Sequence, residues 1–223
     1  MTRYVARVML IIALLIVCFT CALLAQGEYL RGGESGIGFS GALSRNDGGV
    51  GVGGSFGYSA VGKYDIGFSL LHSNLDETDA SSMSFAPSLA VHVRKDTSGY
   101  PIASIHASYQ YETVSSRSLV QSHSSLTGDF FTFGFSLLAT FSVSSKSSVQ
   151  PSIDASVVTG TTKLNSGGMY SIENTDTKVV GIVSLSLISR ASSKNLIVLT
   201  PAVALDKDNT TVALAFQVIF VVD

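Results

Sequence analysis

FTFGFSLLATFSVS, residues 131–144, is the stretch of this 223-residue chain that decides its fold. Apolar residues occupy alternate positions from Phe131 to Val143, and threonine, glycine or serine fills most positions between them, Leu138 being the exception. A period of two sends successive side chains to opposite faces of a β-strand. The stretch is also much longer than a soluble strand of about 5–6 residues. It therefore predicts a long strand with one apolar face and one face of small polar side chains.

The same alternation recurs along most of the chain. It is clear from Ser82 to Lys95 and from Thr211 to Val222, and helical periodicity is nearly absent after Gly36. The polar faces are rich in serine, alanine and glycine and poor in lysine and glutamate, unlike a solvated surface. These features predict an all-β fold of about ten antiparallel strands, at 35–44, 49–59, 63–73, 82–95, 99–112, 128–144, 147–160, 177–190, 194–206 and 210–222.

The segments between these strands alternate in length. Four are short (60–62, 96–98, 145–146 and 191–193), and three at the opposite ends of the strands are long (74–81, 113–127 and 161–176), together with the shorter 46–48 and 207–209. Transmembrane β-barrels have short periplasmic turns, longer extracellular loops and an even number of strands. We therefore expect the short turns and both termini on the periplasmic side.

A closed barrel follows from the backbone hydrogen bonds. An unpaired N–H or C=O costs several kcal/mol in hydrocarbon, so a sheet in a bilayer must close on itself. The apolar faces then meet lipid and the polar faces line the interior. The prolines near strand positions are interpreted as barrel-shaping residues, because proline cannot donate to a ladder; they are Pro87, Pro101, Pro151 and Pro201.

The first 27 residues have the pattern of a secretory signal peptide. Arg3 and Arg7 precede an uncharged run from Val8 to Leu24, and the small residues Ala25 and Gly27 follow. A retained membrane anchor is the alternative, since the run approaches the ~20 residues that span a bilayer. The expected organisation is a signal peptide at 1–27 and an outer-membrane β-barrel at 28–223.

Composition excludes several classes of function. Both cysteines, Cys18 and Cys21, lie in the signal segment, so the mature chain has no thiolate metal site and no disulfide. Only 13% of the residues are charged, with a formal net charge of −2, and no basic patch suggests nucleic acid as a partner. We expect no cofactor and no metal.

The N-terminal segment, the ten alternating segments and the glycine-rich opening GIGFSGALSRNDGGVGVGGSFGYS, residues 36–59, resemble small bacterial outer-membrane β-barrel proteins of the porin-like type. The resemblance covers nearly all of the mature chain and is architectural. It implies export to the bacterial outer membrane, contact with outer-membrane lipid and handling by the barrel assembly machinery. The chain departs from such proteins at its end, because Asp223 stands where an aromatic residue is common.

Eight ionisable residues fall on the predicted inward faces: Asp65, His92, Arg94, His106, Glu112, Asp154, Lys178 and Arg190. One interpretation makes His92 or His106 a base beside Asp154, as in a membrane-embedded hydrolase. The other pairs these charges with one another in a wet lumen, because a buried charge is tolerated only with a partner. The second is preferred, and no catalytic residue is assigned.

Three functions remain. The first is a structural or surface-interaction barrel that contacts a surface ligand through 113–127 and 161–176. The second is a narrow channel for small solutes, because the inward side chains are small. The third is the hydrolase. The first is preferred.

Overall fold

The computed structural model describes residues 28–31, 33–46, 49–75, 80–93, 102–166, 170–207 and 209–222. The predicted signal peptide and Arg94 lie outside these residues. The described chain forms one antiparallel sheet and one short helix, α1 (Arg117–Gln121). The strands are β1 (Ser35–Asn46), β2 (Gly49–Ala60), β3 (Tyr64–Leu75), β4 (Ala80–Val93), β5 (Ile102–Ser116), β6 (Ser124–Leu138), β7 (Phe141–Ser142), β8 (Ser147–Ser166), β9 (Tyr170–Arg190), β10 (Asn195–Leu205) and β11 (Thr210–Val222).

The sheet closes into a barrel of ten strands, as predicted. Each strand pairs with its neighbour in sequence, β11 pairs with β1, and β6 and its two-residue continuation β7 share one register against β8. Following the pairs once around the barrel from Leu187 of β9 leads back to Thr175 of the same strand, twelve residues away. Such a stagger requires strands that tilt against the barrel axis, as in membrane barrels.

The two faces of the sheet differ as the alternation predicts. On β4, Met83, Leu89 and Val91 are exposed on the outside, whereas Ser84 and Ser88 are buried inside. Aromatic side chains are exposed on the outer face near both ends of the strands; they are Phe85, Tyr109, Tyr111 and Phe131 at one end and Tyr64, Phe141 and Phe220 at the other. The barrel therefore has an apolar outer band and an interior that mixes polar side chains with small or apolar ones.

The long segments contain more strand than predicted. Much of 161–176 belongs to β8 and β9, which have 20 and 21 residues, and 113–127 contains the end of β5, α1 and the start of β6. Thr159 pairs with Thr177 and Thr161 with Thr175 in this extension. The sequence signal failed here because a strand outside the membrane keeps its backbone ladder but needs no apolar face.

Three prolines mark gaps in the ladder. Ala139, between β6 and β7, donates to the carbonyl of Pro151 at 3.2 Å, but Pro151 has no N–H to return the bond. The pairing of β4 with β5 is interrupted at Pro87, and that of β10 with β9 at Pro201. These residues therefore interrupt the sheet on one side each while the barrel stays closed.

The helix α1 begins after Ser116, whose hydroxyl accepts a hydrogen bond from the backbone N–H of Leu119 at 3.2 Å. Among the described residues, no helix is long and apolar enough to cross a membrane.

Candidate functional site

The barrel interior contains most of the sequence-predicted ionisable residues. Asp65, His92, His106, Glu112 and Asp154 are buried on inward faces. Lys178, near the middle of β9, and Arg190, at its last residue, are half-buried. We call the end of the barrel with the β2–β3 and β9–β10 turns the inner rim, and the end with the β8–β9 hairpin the outer rim.

A chain of polar contacts runs along the inner surface of the barrel wall, from strand to strand, near the inner rim. Nε2 of His92 lies 2.8 Å from Oδ2 of Asp65, and Nδ1 of His92 lies 2.7 Å from Oγ of Ser104. The Ser104 hydroxyl donates to Oε1 of Glu28 at 3.2 Å. Strands β3, β4 and β5 thus hold one side chain each, and Glu28 from the segment before β1 completes the cluster.

Residues 28–31, 33 and 34, which we call the N-terminal segment, lie in the barrel mouth at the inner rim. Leu30 is 1% exposed and packs with Ile188, Leu196, Val198 and Ile219. The Tyr29 hydroxyl lies 3.1 Å from Oγ of Ser186. The segment therefore inserts an apolar side chain and a phenol among β9, β10 and β11.

Polar contacts hold both ends of the N-terminal segment. Glu34 forms an ion pair with Arg190 at 3.2 Å, and the Gln150 amide donates to the carbonyl of Glu28 at 3.3 Å. The backbone N–H of Gly33 donates to the carbonyl of Val61 at 3.2 Å, in the β2–β3 turn. Contacts from opposite walls of the barrel thus close its inner mouth around the segment.

A cavity of about 230 Å³ remains beside the segment at the inner rim. Its wall includes Tyr29 and Leu30 on one side and Ser145, Lys146 and Arg190 on the other. Glu28 also lines the cavity, and burial raises its pKa to about 7. The nearby His92 lowers this pKa, and the negative charges of Asp65 and Asp154 raise it.

A second polar cluster lies inside the barrel, closer to the outer rim. Nε2 of His106 is 3.2 Å from Oγ of Ser156, and Nδ1 is 3.5 Å from Oδ2 of Asp154. The Ser156 hydroxyl donates to Oδ1 of Asp154 at 2.7 Å. Gly134 is cross-strand partner to both His106 and Ser156, and a Cβ there would overlap their side-chain atoms. The glycine therefore makes the room that this cluster occupies.

The outer half of the interior holds groups that the protein itself does not satisfy. Both amide atoms of Gln110 and one carboxylate oxygen of Glu112 are buried without a hydrogen-bond partner among the described residues. Lys178 lies 3.8 Å from Asp206, an ion pair that the sequence analysis missed. A buried polar atom without a partner costs about 1–3 kcal/mol, so these groups are an unused hydrogen-bonding capacity in the outer half of the interior.

The contacts of Asp65, His92 and Ser104 follow the order of a base-activated nucleophile. Ser104 is only 1% exposed, however, and its hydroxyl donates to Glu28. In this structure the serine is therefore covered, and the cluster acts to join the N-terminal segment to the wall. Within the described ranges, no group of three or more His, Cys, Asp or Glu side chains is placed to hold a metal ion.

The sequence analysis did not find the N-terminal segment. Glu28, Tyr29 and Leu30 show no strand alternation, and their partners come from five different strands. A usable signal was present, since tyrosine and leucine stand together in a short polar stretch between the predicted signal peptide and the first strand.

The sequence matches no protein-family model. It also matches none of the curated proteins. Among solved structures, the chain is similar to the β domain of the Bordetella autotransporter BrkA, with TM-score 0.57 and 7% identity over 83% of this chain and 98% of that chain. It is also similar to the translocator domain of the autotransporter NalP from Neisseria meningitidis, with TM-score 0.54 and 11% identity over 84% of this chain and 87% of that chain.

A third similarity, to Ail, the attachment invasion locus protein of Yersinia pestis, has TM-score 0.43 and 13% identity over 86% of this chain and all of that chain. The two likenesses with TM-scores above 0.5, to the BrkA and NalP domains, show the fold of bacterial outer-membrane β-barrels. The apolar outer band gives the physical reason for the location, because a closed barrel with lipid-compatible side chains outside can lie in a bilayer. The protein is an outer-membrane β-barrel.

Proposed function

We propose that this protein is a surface-interaction barrel that binds an extended polypeptide along the open edge of β9. The observation that carries the proposal is the extension of the β8–β9 hairpin beyond the end of β10. The last pair between β9 and β10 is Gly181 with Leu205, whereas β9 continues to Tyr170 and pairs there with β8 alone. Among the described residues, 170–180 thus have no partner strand on this side and form a strand edge at the outer rim.

The direction of the backbone groups on that edge follows from Pro151. Its carbonyl accepts from Ala139, so the backbone groups of odd-numbered β8 residues point to β6 and β7, and those of even-numbered residues point to β9. Residues alternate in this respect along an antiparallel ladder. On β9, the even-numbered residues therefore bond to β8, and 171, 173, 175, 177 and 179 present N–H and C=O groups to the open edge.

The chemistry of the edge suits a polypeptide partner. One hydrogen bond outside the regular ladder is described at this edge. In it, the Thr177 N–H donates to the side chain of Asp176 at 2.8 Å. An extended peptide that adds to a sheet edge satisfies such groups by main-chain bonds and gains specificity from alternate side chains. Asp176 adds negative charge, which favours a partner strand with basic residues, whereas Glu173 lies 3.9 Å from Lys163 and is already paired.

The orientation of the barrel supports a role at the cell surface. Short turns face the periplasm in this class, so the hairpin and α1 lie outside the cell. No catalytic role is part of the proposal, because Ser104 is covered by Glu28 and His106 is held by Asp154 and Ser156.

Thr175→Pro tests the edge directly. Proline removes the N–H that faces the open edge but keeps the β8–β9 bonds, which come from even-numbered residues, and edge strands tolerate proline. Linear peptides selected on the refolded wild-type protein from a phage-displayed library should lose at least about tenfold in affinity for Thr175→Pro. Thr175→Ala, which keeps the N–H, is the matched control and should bind as wild type does.

Equal binding to Thr175→Pro and Thr175→Ala would overturn the proposal. Labelling of Thr175→Cys by a membrane-impermeant thiol reagent on intact cells tests the orientation separately. Labelling is expected, and protection until the cells are opened would place the hairpin in the periplasm and contradict a surface role.

A further inference from the structure

The cavity of about 230 Å³ at the inner rim lies between the N-terminal segment and the β7–β8 turn. We propose that this cavity binds a phosphate group, carried either by a small soluble phosphate ester or by a phospholipid headgroup of the periplasmic leaflet. The site is independent of the surface-interaction role, because it uses the inner rim rather than the β9 edge.

Two cationic side chains in the lining of the cavity are not used by the fold. Lys146 comes from the β7–β8 turn and Arg31 from the N-terminal segment, and both residues are exposed. Neither side chain has an ion pair among the described residues. A third cation of the lining, Arg190, is held by both carboxylate oxygens of Glu34 and by the carbonyl of Ser193. The cavity therefore has two cations in its wall that are available to an anion.

Hydroxyl groups line the same cavity. They come from the stretch 140–148 and belong to Thr140, Ser142, Ser144, Ser145, Ser147 and Ser148. The Ser144 hydroxyl accepts a hydrogen bond from the backbone N–H of Lys146 at 3.2 Å, whereas the other hydroxyls have no hydrogen-bond partner among the described residues. Serine and threonine hydroxyls, together with lysine and arginine, are the side chains that commonly donate to phosphate oxygens.

The size and the donors of the cavity favour phosphate over carboxylate. A phosphate group offers three strong acceptor oxygens, which suits donors that converge from a turn and from the opposite segment. Lysine binds phosphate as a point charge, whereas a planar carboxylate is matched by the fork of an arginine, and Arg190 already holds Glu34 in that way. The volume is below the ~300–1,000 Å³ of pockets for drug-sized ligands, so the phosphate has only a small substituent inside the cavity.

The acidic side chain in the described lining, Glu28, is engaged on the barrel wall. Its side chain is 11% exposed, and its Oε1 accepts from Ser104 at 3.2 Å and lies 4.0 Å from Nδ1 of His92. The ion pair of Arg190 with Glu34 is neutral as a whole. The charges of Arg31 and Lys146 therefore outweigh that of Glu28 and favour an anionic ligand.

A phospholipid has access to the same cavity over the β7–β8 turn. Phe141 and Val143 are exposed on the outer band, and Ser142 between them lines the cavity. The outer band and the cavity thus lie on the two sides of one short strand. Acyl chains on the outer band and a headgroup over the rim can therefore belong to one lipid.

Phosphorus NMR titration of the refolded protein in octyl glucoside, a detergent without phosphate, tests the site with glycerol 3-phosphate. Lys146→Gln should weaken binding at least about tenfold, because it removes a charged hydrogen-bond donor. Lys163→Gln removes the same charge from the outer hairpin, and this control should bind as wild type does. Glycerate, which carries a carboxylate instead of a phosphate, should compete at least about tenfold more weakly than inorganic phosphate.

Native mass spectrometry of protein extracted from vesicles that contain phosphatidylglycerol distinguishes the two sources. Saturable binding of glycerol 3-phosphate indicates a soluble ester, and retention of phosphatidylglycerol without such binding indicates a headgroup. In either case Lys146→Gln should lose the phosphate compound and Lys163→Gln should keep it. Binding of neither compound, equal binding by the two variants, or equal competition by glycerate would overturn the proposal.

Thiol labelling tests where the phosphate compound binds. In a Cys18→Ala, Cys21→Ala background, Leu30→Cys lies in the wall of the cavity and Thr175→Cys lies on the exposed outer hairpin. The compound that binds, at about ten times its Kd, should slow the labelling of Leu30→Cys about tenfold, because it binds only while the N-terminal segment closes the cavity. Labelling of Thr175→Cys should not change. Binding that leaves Leu30→Cys unprotected would mean a site elsewhere and would contradict the proposal.

Discussion

Ser88 and Leu89 are neighbours on β4 that face opposite environments. Leu89 is 51% exposed on the outer band, and Ser88 is buried in the lumen, where it is paired with Ser108. The period of two in the sequence assigned both faces, and the structure agrees. Neighbouring side chains on one strand therefore face two different environments, the apolar outer band and the barrel interior.

Arginine at these two positions should have unequal costs. Leu89→Arg places a cation in the bilayer and should lower the free energy of unfolding by about 2–4 kcal/mol. Ser88→Arg should cost less, because the side chain enters a polar lumen lined by carboxylates. Urea titration in lipid vesicles, followed by gel migration, measures both. Equal losses would show that the inside and outside of the barrel are assigned wrongly.

Glu28 makes the docking of the N-terminal segment depend on pH. Burial raises its pKa from 4.5 to about 7, so the docked segment binds a proton that the free segment releases between these values. Docking should therefore weaken as pH rises from about 4.5 to about 7 and change little above that range. The charged groups that face Glu28 are Asp65 on β3, His92 on β4 and Asp154 on β8.

In a Cys18→Ala, Cys21→Ala background, the labelling rate of Leu30→Cys by a thiol reagent relative to that of Arg31→Cys measures this dependence, because Leu30 is buried and Arg31 is exposed. The ratio should increase with pH through that window in the parent and stay flat in Glu28→Gln. A ratio that falls with pH in the parent would contradict the assignment of Glu28.

At the scale of elements, β6 shows how closely the wall is packed. The ring of Phe130 lies over Gly128 on its own strand and Gly160 on β8, and a Cβ at either glycine would overlap it. Gly181 on β9 has open space around it. Gly128 and Gly160 therefore make room for the ring of Phe130, whereas Gly181 makes room for no side chain.

Gly160→Ala should destabilise the barrel by about 1–3 kcal/mol, the usual cost of overpacking. Gly181→Ala should be neutral or slightly stabilising, because it restricts the unfolded chain without a clash. In a Phe130→Ala background, Gly160→Ala should lose most of its effect, which a double-mutant cycle measures. If Gly160→Ala costs the same with and without the ring, the packing against Phe130 is not its cause.

The sequence predicted the strands best where they face lipid. Alternation found β4 and β11 because one face of each is apolar throughout. It lost the outer third of β8 and of β9, where residues such as Thr161 and Thr175 pair beyond the predicted strands. The inward position of His92 followed from the same alternation, but its contact with Glu28 did not, because the chain before β1 folds back by long-range packing that no local pattern encodes.

At the scale of the whole molecule, closure of the sheet gives each part its role. The outer band faces lipid, the interior carries paired charges, and the stagger of twelve residues is consistent with strongly tilted strands. The outer rim ends in a free β9 edge, and the inner rim ends in a mouth that the N-terminal segment occupies.

The central claim is that the chain forms a closed barrel in the outer membrane, and gel migration of the membrane-extracted protein tests it most directly. A closed barrel keeps its ladder in detergent until it is heated, so outer-membrane fractions should contain a band that migrates differently when boiled and unboiled. Leu89→Arg should reduce the unboiled form more than Ser88→Arg. Recovery of the protein in the soluble periplasmic fraction, with one migration before and after boiling, would contradict the account.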